Sequence, residues 1–354
     1  MNNIFKNTAR RAWGLVFLIV SFSISAEGTK TADYSKIKFD LTVAKDGSGT
    51  QTTVQAAIDA VPDNSKTPVF ILVKNGIYRE VVNVNSAKRN IRLLGENVSK
   101  TIITFDNYHG KLRADGSKHG TTGSSTVFIY GNGFYAENIT FENSTDESTI
   151  TDDKQAVSIR TEAEELIFKN CRFIGNQDTV FTRGGRQYFE NCYIEGDVDF
   201  IFGDGPAWFE QCEIKSLDRP GSTKGYLTAA STPERLPFGL VFSKCKLTAA
   251  EGVTKNTVFL GRAWHPSSYN EPVRGSTVFL FCEMGEHIKT VGWTYMDGKY
   301  PVKSERLREY KSTGPGGTGI HSNRIQLTDD EAKEYTLKNV LGGKDNWDPK
   351  KPVY

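Results

Sequence analysis

Cysteine is scarce in this 354-residue chain: there are five, an odd number, with no Cys-x-x-Cys pair. That argues against a fully paired disulfide framework and against a Cys-based metal site. No Gly-x-Ser-x-Gly occurs, so the nucleophile elbow of a serine hydrolase is missing. None of the five His stands in a recognisable catalytic setting. His265, beside Trp264, reads as a polar cleft or loop residue. No linker rich in Pro or Ser divides the chain, which favours one domain over two.

An excess of one charge is also lacking once the first 26 residues are set apart. Lys6, Arg10 and Arg11 precede the apolar run "AWGLVFLIVSFSI", and small residues follow up to Ala26. This is the pattern of a cleaved secretory signal over 1–26, with an uncleaved anchor as the alternative. Removing it leaves 41 Lys and Arg against 42 Asp and Glu. A near-neutral chain carries no electrostatic case for nucleic acid. The expectation is a secreted protein, extracellular or periplasmic, with a single domain over 27–354 and no membrane contact after cleavage.

What is present is a repeat. The cysteines share a frame: "FKNCRF", "FENCYI", "FEQCEI", "FSKCKL" and "FLFCEM", with an aromatic residue three before each Cys and an apolar one two after. "AENITFEN" fits with Ile139 in the Cys slot. Successive slots at 139, 171, 192, 212, 245 and 282 lie 32, 21, 20, 33 and 37 residues apart. Short strands recurring at such periods mark a solenoid. The alternation of Phe168, Cys171 and Phe173 with charged residues suits strands. The fold class is therefore all-β, a right-handed single-stranded parallel β-helix. Longer units carry loop insertions, and buried free cysteines line the core as small hydrophobes. A single bridge, such as Cys192 with Cys212, is the alternative for an exported protein.

The ends fit this reading. "TTVQAAIDAVP" spaces Val54, Ala57, Ile58 and Val61 as a short helix that caps the open core. "LTDDEAKEYTLKNVLGG" offers a Thr328 cap, early acids and a Gly stop, hence a C-terminal helix. "GIYRE" (76–80) reads as strand-turn-strand near the first coil. "GNGFYA" (131–136) matches Gly-x-Gly-x-x-Ala, but a repeat strand follows where a nucleotide site needs a helix.

Against this frame two acids stand out. Asp178 in "GNQDTVF" lies seven residues after Cys171, and Asp199 in "GDVDFIFG" seven after Cys192. They occupy the same slot on successive coils, so their carboxylates are expected about one strand spacing, ~4.8 Å, apart. Two such groups cannot both ionise cheaply, and the pair titrates as a unit. The alternative is two turn aspartates bonding nearby backbone N–H groups. The flanking Gln177 and the shared register favour an acid-plus-nucleophile pair.

Six segments together resemble the β-helical pectin methylesterases: "GIYRE", "QAVS" (155–158), "GNQDTVF" (175–181), "DFIFG" (199–203), "LGRAW" (260–264) and, more weakly, "MGEHIKTVGW" (284–293). They follow the family's order and span most of the mature chain. The resemblance implies Asp199 as nucleophile, Asp178 as acid/base, Gln177 and Gln155 as oxyanion-hole amides, and Arg262 as the arginine that orients the nucleophile. It places Trp264, Phe202, Val198 and Tyr226 along a sugar-binding cleft. Ala263 stands where the family commonly has Pro, Ser158 where it often has Ala, and Val180 where it has Leu. None of these removes a reactive group, though cleft shape is affected. The implied function is hydrolysis of C6 methyl esters of homogalacturonan, with no metal or organic cofactor, the pectin polymer as partner, and a monomeric chain. Rival readings are a glycoside hydrolase or lyase on the same scaffold, since two carboxylates about 5 Å apart also suit a retaining glycosidase, and a non-catalytic carbohydrate-binding solenoid.

Overall fold

The computed structural model describes residues 33–351; the expected signal segment lies outside them. Three parallel sheets of ten, eight and eight strands wind as a right-handed β-helix. Eight coils each contribute one short strand to each sheet, the strands Leu41–Val43 and Arg306–Tyr310 extend the ten-stranded sheet at its two ends, and neighbouring coils pair in parallel.

The repeat read from the cysteines is the register of the ten-stranded sheet. Ala136 pairs with Phe168, then Phe168 with Phe189, Phe189 with Phe209, Phe209 with Phe242, and Phe242 with Phe279. The five phenyl rings stack with centroids 4.8, 4.5, 4.6 and 4.6 Å apart along the core. Each is fully buried, and burying a side chain of that size contributes about 1.5–3 kcal/mol. The sheet also holds four rungs that the frame did not show, at Leu41–Val43, Val69–Val73, Ile91–Gly95 and Arg306–Tyr310. These strands are not followed by a Cys in the slot, so nothing in the motif pointed to them, although the apolar run "VFILVKNGIYREVVNV" by itself reads as the first strands and covers Val69–Val73.

The residue before each slot turns the corner. Asn138, Asn170, Asn191, Gln211, Lys244 and Phe281 all take φ between 51° and 56°, the left-handed region that Asn tolerates best among side-chain-bearing residues. The following Cys points inward. Each thiol donates to a carbonyl of the preceding coil: Cys171 to Ala136, Cys192 to Phe168, Cys212 to Phe189, Cys245 to Phe209 and Cys282 to Phe242, at 3.4–3.6 Å. All five cysteines are free and buried. The bridge considered between Cys192 and Cys212 is therefore absent; the thiols serve as small core residues with a weak donor.

At the N-terminal end, helix α1 (Val54–Ala60) buries Val54, Ala57 and Ile58 over the open core, with Thr53 as its cap. Glu80 of "GIYRE" accepts from the first-turn amides of Val54 and Gln55, both at 2.9 Å. An acid at a helix N-terminus satisfies orphan donors there, so this motif serves the cap. At the other end the single expected helix is two: α2 (Asp329–Lys333) and α3 (Leu337–Leu341). Thr336 breaks them, because it adopts an extended backbone and caps α3 by accepting from Asn339. Val340 and Leu341 pack with Tyr188, Trp208 and Val241 on the outer face of the ten-stranded sheet.

Candidate active site

The site lies on the outer face of the sheet that carries the strands Val180–Thr182, Val198–Gly203 and Val258–Arg262. Val180 pairs with Ile201 and Phe181 with Phe202, which is the 21-residue register expected for Asp178 and Asp199. The Asp178 amide donates to the carbonyl of Val198 at 3.0 Å, binding the two segments directly.

The aspartates are not ordinary strand residues, as their apolar surroundings suggested. Asp178 stands in a turn before its strand with φ 67°, and Asp199 has φ 50° inside its own. Pairing with the next coil slips at this point: Val198 faces Tyr226, yet Ile201 faces Thr228. One strand has three steps where the other has two, which is a β-bulge, and bulges re-aim side chains. The bulge and the left-handed backbone turn Asp199 outward while Phe200 and Ile201 stay in the core. Left-handed residues cost on the order of 1–3 kcal/mol when strained, and such conformations cluster at functional sites.

Arg262, from the end of its strand, grips Asp199 with two bonds, Nε to Oδ1 at 3.0 Å and Nη2 to Oδ2 at 2.7 Å. The carboxyl of Asp178 has no hydrogen-bond partner among the described residues. Both acids are only 7% exposed. Burial, then the neighbouring Asp199, pushes Asp178 well above the usual carboxylate range. Burial also raises Asp199, but the Arg262 bonds and charge oppose it. The asymmetry favours the charged form at Asp199 over Asp178, because only Asp199 has a cation bonded to both oxygens.

A cavity of about 240 Å³ opens over the pair, lined by Gln155, Gln177, Asp178, Asp199, Phe202, Arg262 and Trp264, together with Thr121, Ala229 and Met296. The first seven are the residues expected from sequence. The side-chain amides of Gln155 and Gln177 donate to no group among the described residues, and the Gln155 carboxamide oxygen is buried without a partner. Phe181 and Phe202 stack at 4.3 Å, and Trp264 leans on both at 6.4 and 5.9 Å. Val198 and Tyr226 lie outside the cavity lining. Val198 flanks Asp199 and is 7% exposed; Tyr226 presents its ring 3.9 Å from the Arg262 guanidinium and so supports the arginine from below. His265 is turned away, bonded to Glu305 at 3.2 Å and stacked on Tyr300. Ser158, one of the departures, is buried and donates to the Thr179 carbonyl at 2.8 Å.

Three lining residues, Thr121, Ala229 and Met296, escaped the sequence reading. Thr121 comes from the long insertion between Phe105 and Val127, and Met296 follows Trp293 in the loop after the last short strand of this sheet. Their places depend on loop packing, and no periodicity marks them. Asp197 was also missed, although it sits in "GDVDFIFG". It is 1% exposed, accepts from the Val198 amide at 2.5 Å, and has Arg219 Nε at 3.1 Å. Burial, followed by the nearby Glu147, raises it to about 7.

Comparison with known proteins agrees with this geometry. Residues 40–344 match the family model described as Pectinesterase. The chain is 37% identical to Pectinesterase A of Dickeya dadantii (strain 3937) over 348 residues, covering 89% of this chain and 93% of that protein. Pectinesterase 31 of Arabidopsis thaliana is 36% identical, over 83% of this chain and 89% of its own length. Among solved structures, the pectin methylesterase from Erwinia chrysanthemi superposes with a TM-score of 0.81 at 35% identity, over 89% of this chain and 100% of that one. The pectin methylesterase from carrot gives 0.77 at 32% identity, over 87% and 95%. A buried acid pair with one arginine-held member, set on a β-helix of this register, thus goes with a match along nearly the whole described chain: the protein belongs to the pectinesterase family.

Proposed function

We propose that this pectinesterase hydrolyses the C6 methyl esters of homogalacturonan with Asp199 as nucleophile and Asp178 as acid and base. The observation that carries this reading is the unequal bonding of the pair: Arg262 binds both oxygens of Asp199 and leaves Asp178 without a cation. An ionised Asp199 attacks the ester carbonyl carbon. The negative charge that develops on the carbonyl oxygen meets the uncommitted amides of Gln177 and Gln155, and a donor so placed is worth about 3–4 kcal/mol in comparable sites. As the C–O bond to the methoxy group breaks, Asp178 hands over its proton and methanol leaves. The sugar is then held on Asp199 as a mixed anhydride. Asp178, now a carboxylate, takes a proton from water; the resulting hydroxide attacks the sugar carbonyl and frees Asp199 and a galacturonate. Trp264 and Phe202 give the sugar an apolar wall.

Pectin is the substrate under this reading, and the chain that acts on it is secreted, monomeric and single-domain. Pectin methylesterases of this fold have been crystallised with hexasaccharides, which supports an oligosaccharide in the cleft. The test is methanol release from methylated pectin, with product analysis beside it. Methanol at a constant number of reducing ends supports the esterase. New reducing ends would mean a glycoside hydrolase, unsaturated products a lyase, and binding without product a carbohydrate-binding solenoid.

A further inference from the structure

Residues 263–275 form the loop between the strands Val258–Arg262 and Ser276–Leu280, and they carry Trp264. The Trp264 indole makes no hydrogen bond among the described residues. Its place against Phe181 and Phe202 therefore depends on how the loop is held. Three contacts close the loop. At its foot, Gly275 lies so near Ala263 that a Cβ on Gly275 would stand 2.6 Å from the Ala263 Cβ. At its middle, the Tyr269 hydroxyl donates to Asp204, whose other oxygen accepts from the Gly184 amide at 2.8 Å. Glu305 joins the two ends. Its Oε2 accepts from the Gly275 amide at 2.6 Å, and its Oε1 meets His265 Nε2 at 3.2 Å. A carboxylate only accepts, so Nε2 carries the proton between them. The other face of this contact is set by Tyr300, whose ring stacks on His265 at 3.6 Å, 5° from parallel. Glu305 is 2% exposed, and among the described residues no Lys or Arg pairs with it; His265 is its partner. Burying an acid is costly unless its oxygens are bonded, and both of these bonds go to the loop of Trp264.

Resting on the reading above, we propose that Glu305 is a positioning residue: by clasping His265 and Gly275 it holds the 263–275 loop closed and sets Trp264 in place before the sugar arrives. The clasp acts on both sides of Trp264. Ala263 before it is pressed against Gly275, and His265 after it is bonded to Glu305. A wall fixed in the free protein spares the binding step the cost of ordering it. When the clasp is broken, the ring samples other positions and the sugar must pay to gather it. The reacting groups are held by other means. Asp178 and Asp199 sit on earlier coils, and Arg262 lies inside a strand paired with Trp293–Thr294. The clasp therefore governs how tightly the substrate is held and leaves the chemical step alone, which separates KM from kcat.

The experiment measures kcat and KM for methanol release from methylated pectin, with a thermal melt of each variant. Glu305→Leu removes both bonds and should raise KM about three- to tenfold at nearly unchanged kcat, the range that lost hydrogen bonds support. His265→Phe keeps a ring on Tyr300 but loses its bond to Glu305, and should raise KM by about two- to fivefold. Both substitutions are then repeated in Trp264→Ala. If Glu305 acts through Trp264, neither raises KM further there, because groups that work through one another are not additive. An unchanged KM, a loss in kcat alone, or a KM rise of the same size without Trp264 overturns the inference and leaves the esterase reading standing. Should Glu305→Leu fail to fold, His265→Phe decides by the same criteria. A parent protein that releases no methanol overturns both.

Discussion

Arg262 reaches across 63 residues of sequence to bind Asp199 through two hydrogen bonds, of 3.0 and 2.7 Å. Its guanidinium is kept in line from the other side by Tyr226, 3.9 Å away. The contact is what distinguishes two carboxyls that are otherwise equally buried.

Arg262→Lys keeps the charge but not the planar fork that fits both oxygens. The expected result is a fall in kcat of about 10- to 100-fold with KM nearly unchanged. Arg262→Leu should cost more, because it leaves Asp199 buried without a cation. Steady-state methanol release on methylated pectin measures both.

Asp178→Asn and Asp199→Asn should each fold, since Asn tolerates the left-handed backbone these positions require. Asp199→Asn should leave no turnover above background. Asp178→Asn should lower kcat by about 10²–10⁴-fold, the usual share of a general acid. In the parent protein, kcat/KM should fall on the acid side as Asp199 protonates and on the alkaline side as Asp178 loses its proton. The direction of the Asp178 shift moves that alkaline limb well above the range of an ordinary carboxyl. Asp178→Asn should abolish the limb, and a pH–rate profile of both proteins decides it.

Asp197 links pH to stability. Its folded value, raised to about 7 by burial, lies above that of an unfolded aspartate near 3.9. Between those values the folded chain binds the extra proton, so stability falls as pH rises from about 4 to 7 and is greatest below that window. Asp197→Asn should flatten this part of the curve. Thermal melts at a series of pH values, with a slope unchanged by the substitution as the contrary result, test the point.

Phe209→Ala removes a ring from the middle of the core stack and should destabilise by about 3–5 kcal/mol. Because the Phe209 ring is stacked between Phe189 and Phe242 of the neighbouring coils, refilling the gap requires coils to shift, and denaturant unfolding should show the loss at unchanged m-value. Reductant, in contrast, should not move the melting temperature, since all five thiols are already free.

The sequence was most legible where the chain repeats itself. A Cys slot with an aromatic residue three before it is a direct image of one corner of the coil: Phe faces the core, a left-handed residue turns, Cys faces the core again. Register followed from counting between slots, and the pairing of Phe181 with Phe202 shows the count to hold at the site. Coils without the motif, such as Ile91–Gly95, were invisible for the same reason. The C-terminal segment misled because Thr336 looks like any mid-helix residue until its extended backbone is seen.

Sequence alone thus determined the solenoid, its register and the neighbouring coils on which Asp178 and Asp199 sit, because those depend on local periodicity and on spacing along the chain. The tertiary structure decided the rest. Only it placed the bulge at Asp199, the two bonds from Arg262, the insertion that brings in Thr121 and the loop that brings in Met296. These depend on backbone angles and long-range packing. A carboxylate's direction and protonation follow from what surrounds it in space, and residues distant in the chain supply most of those surroundings.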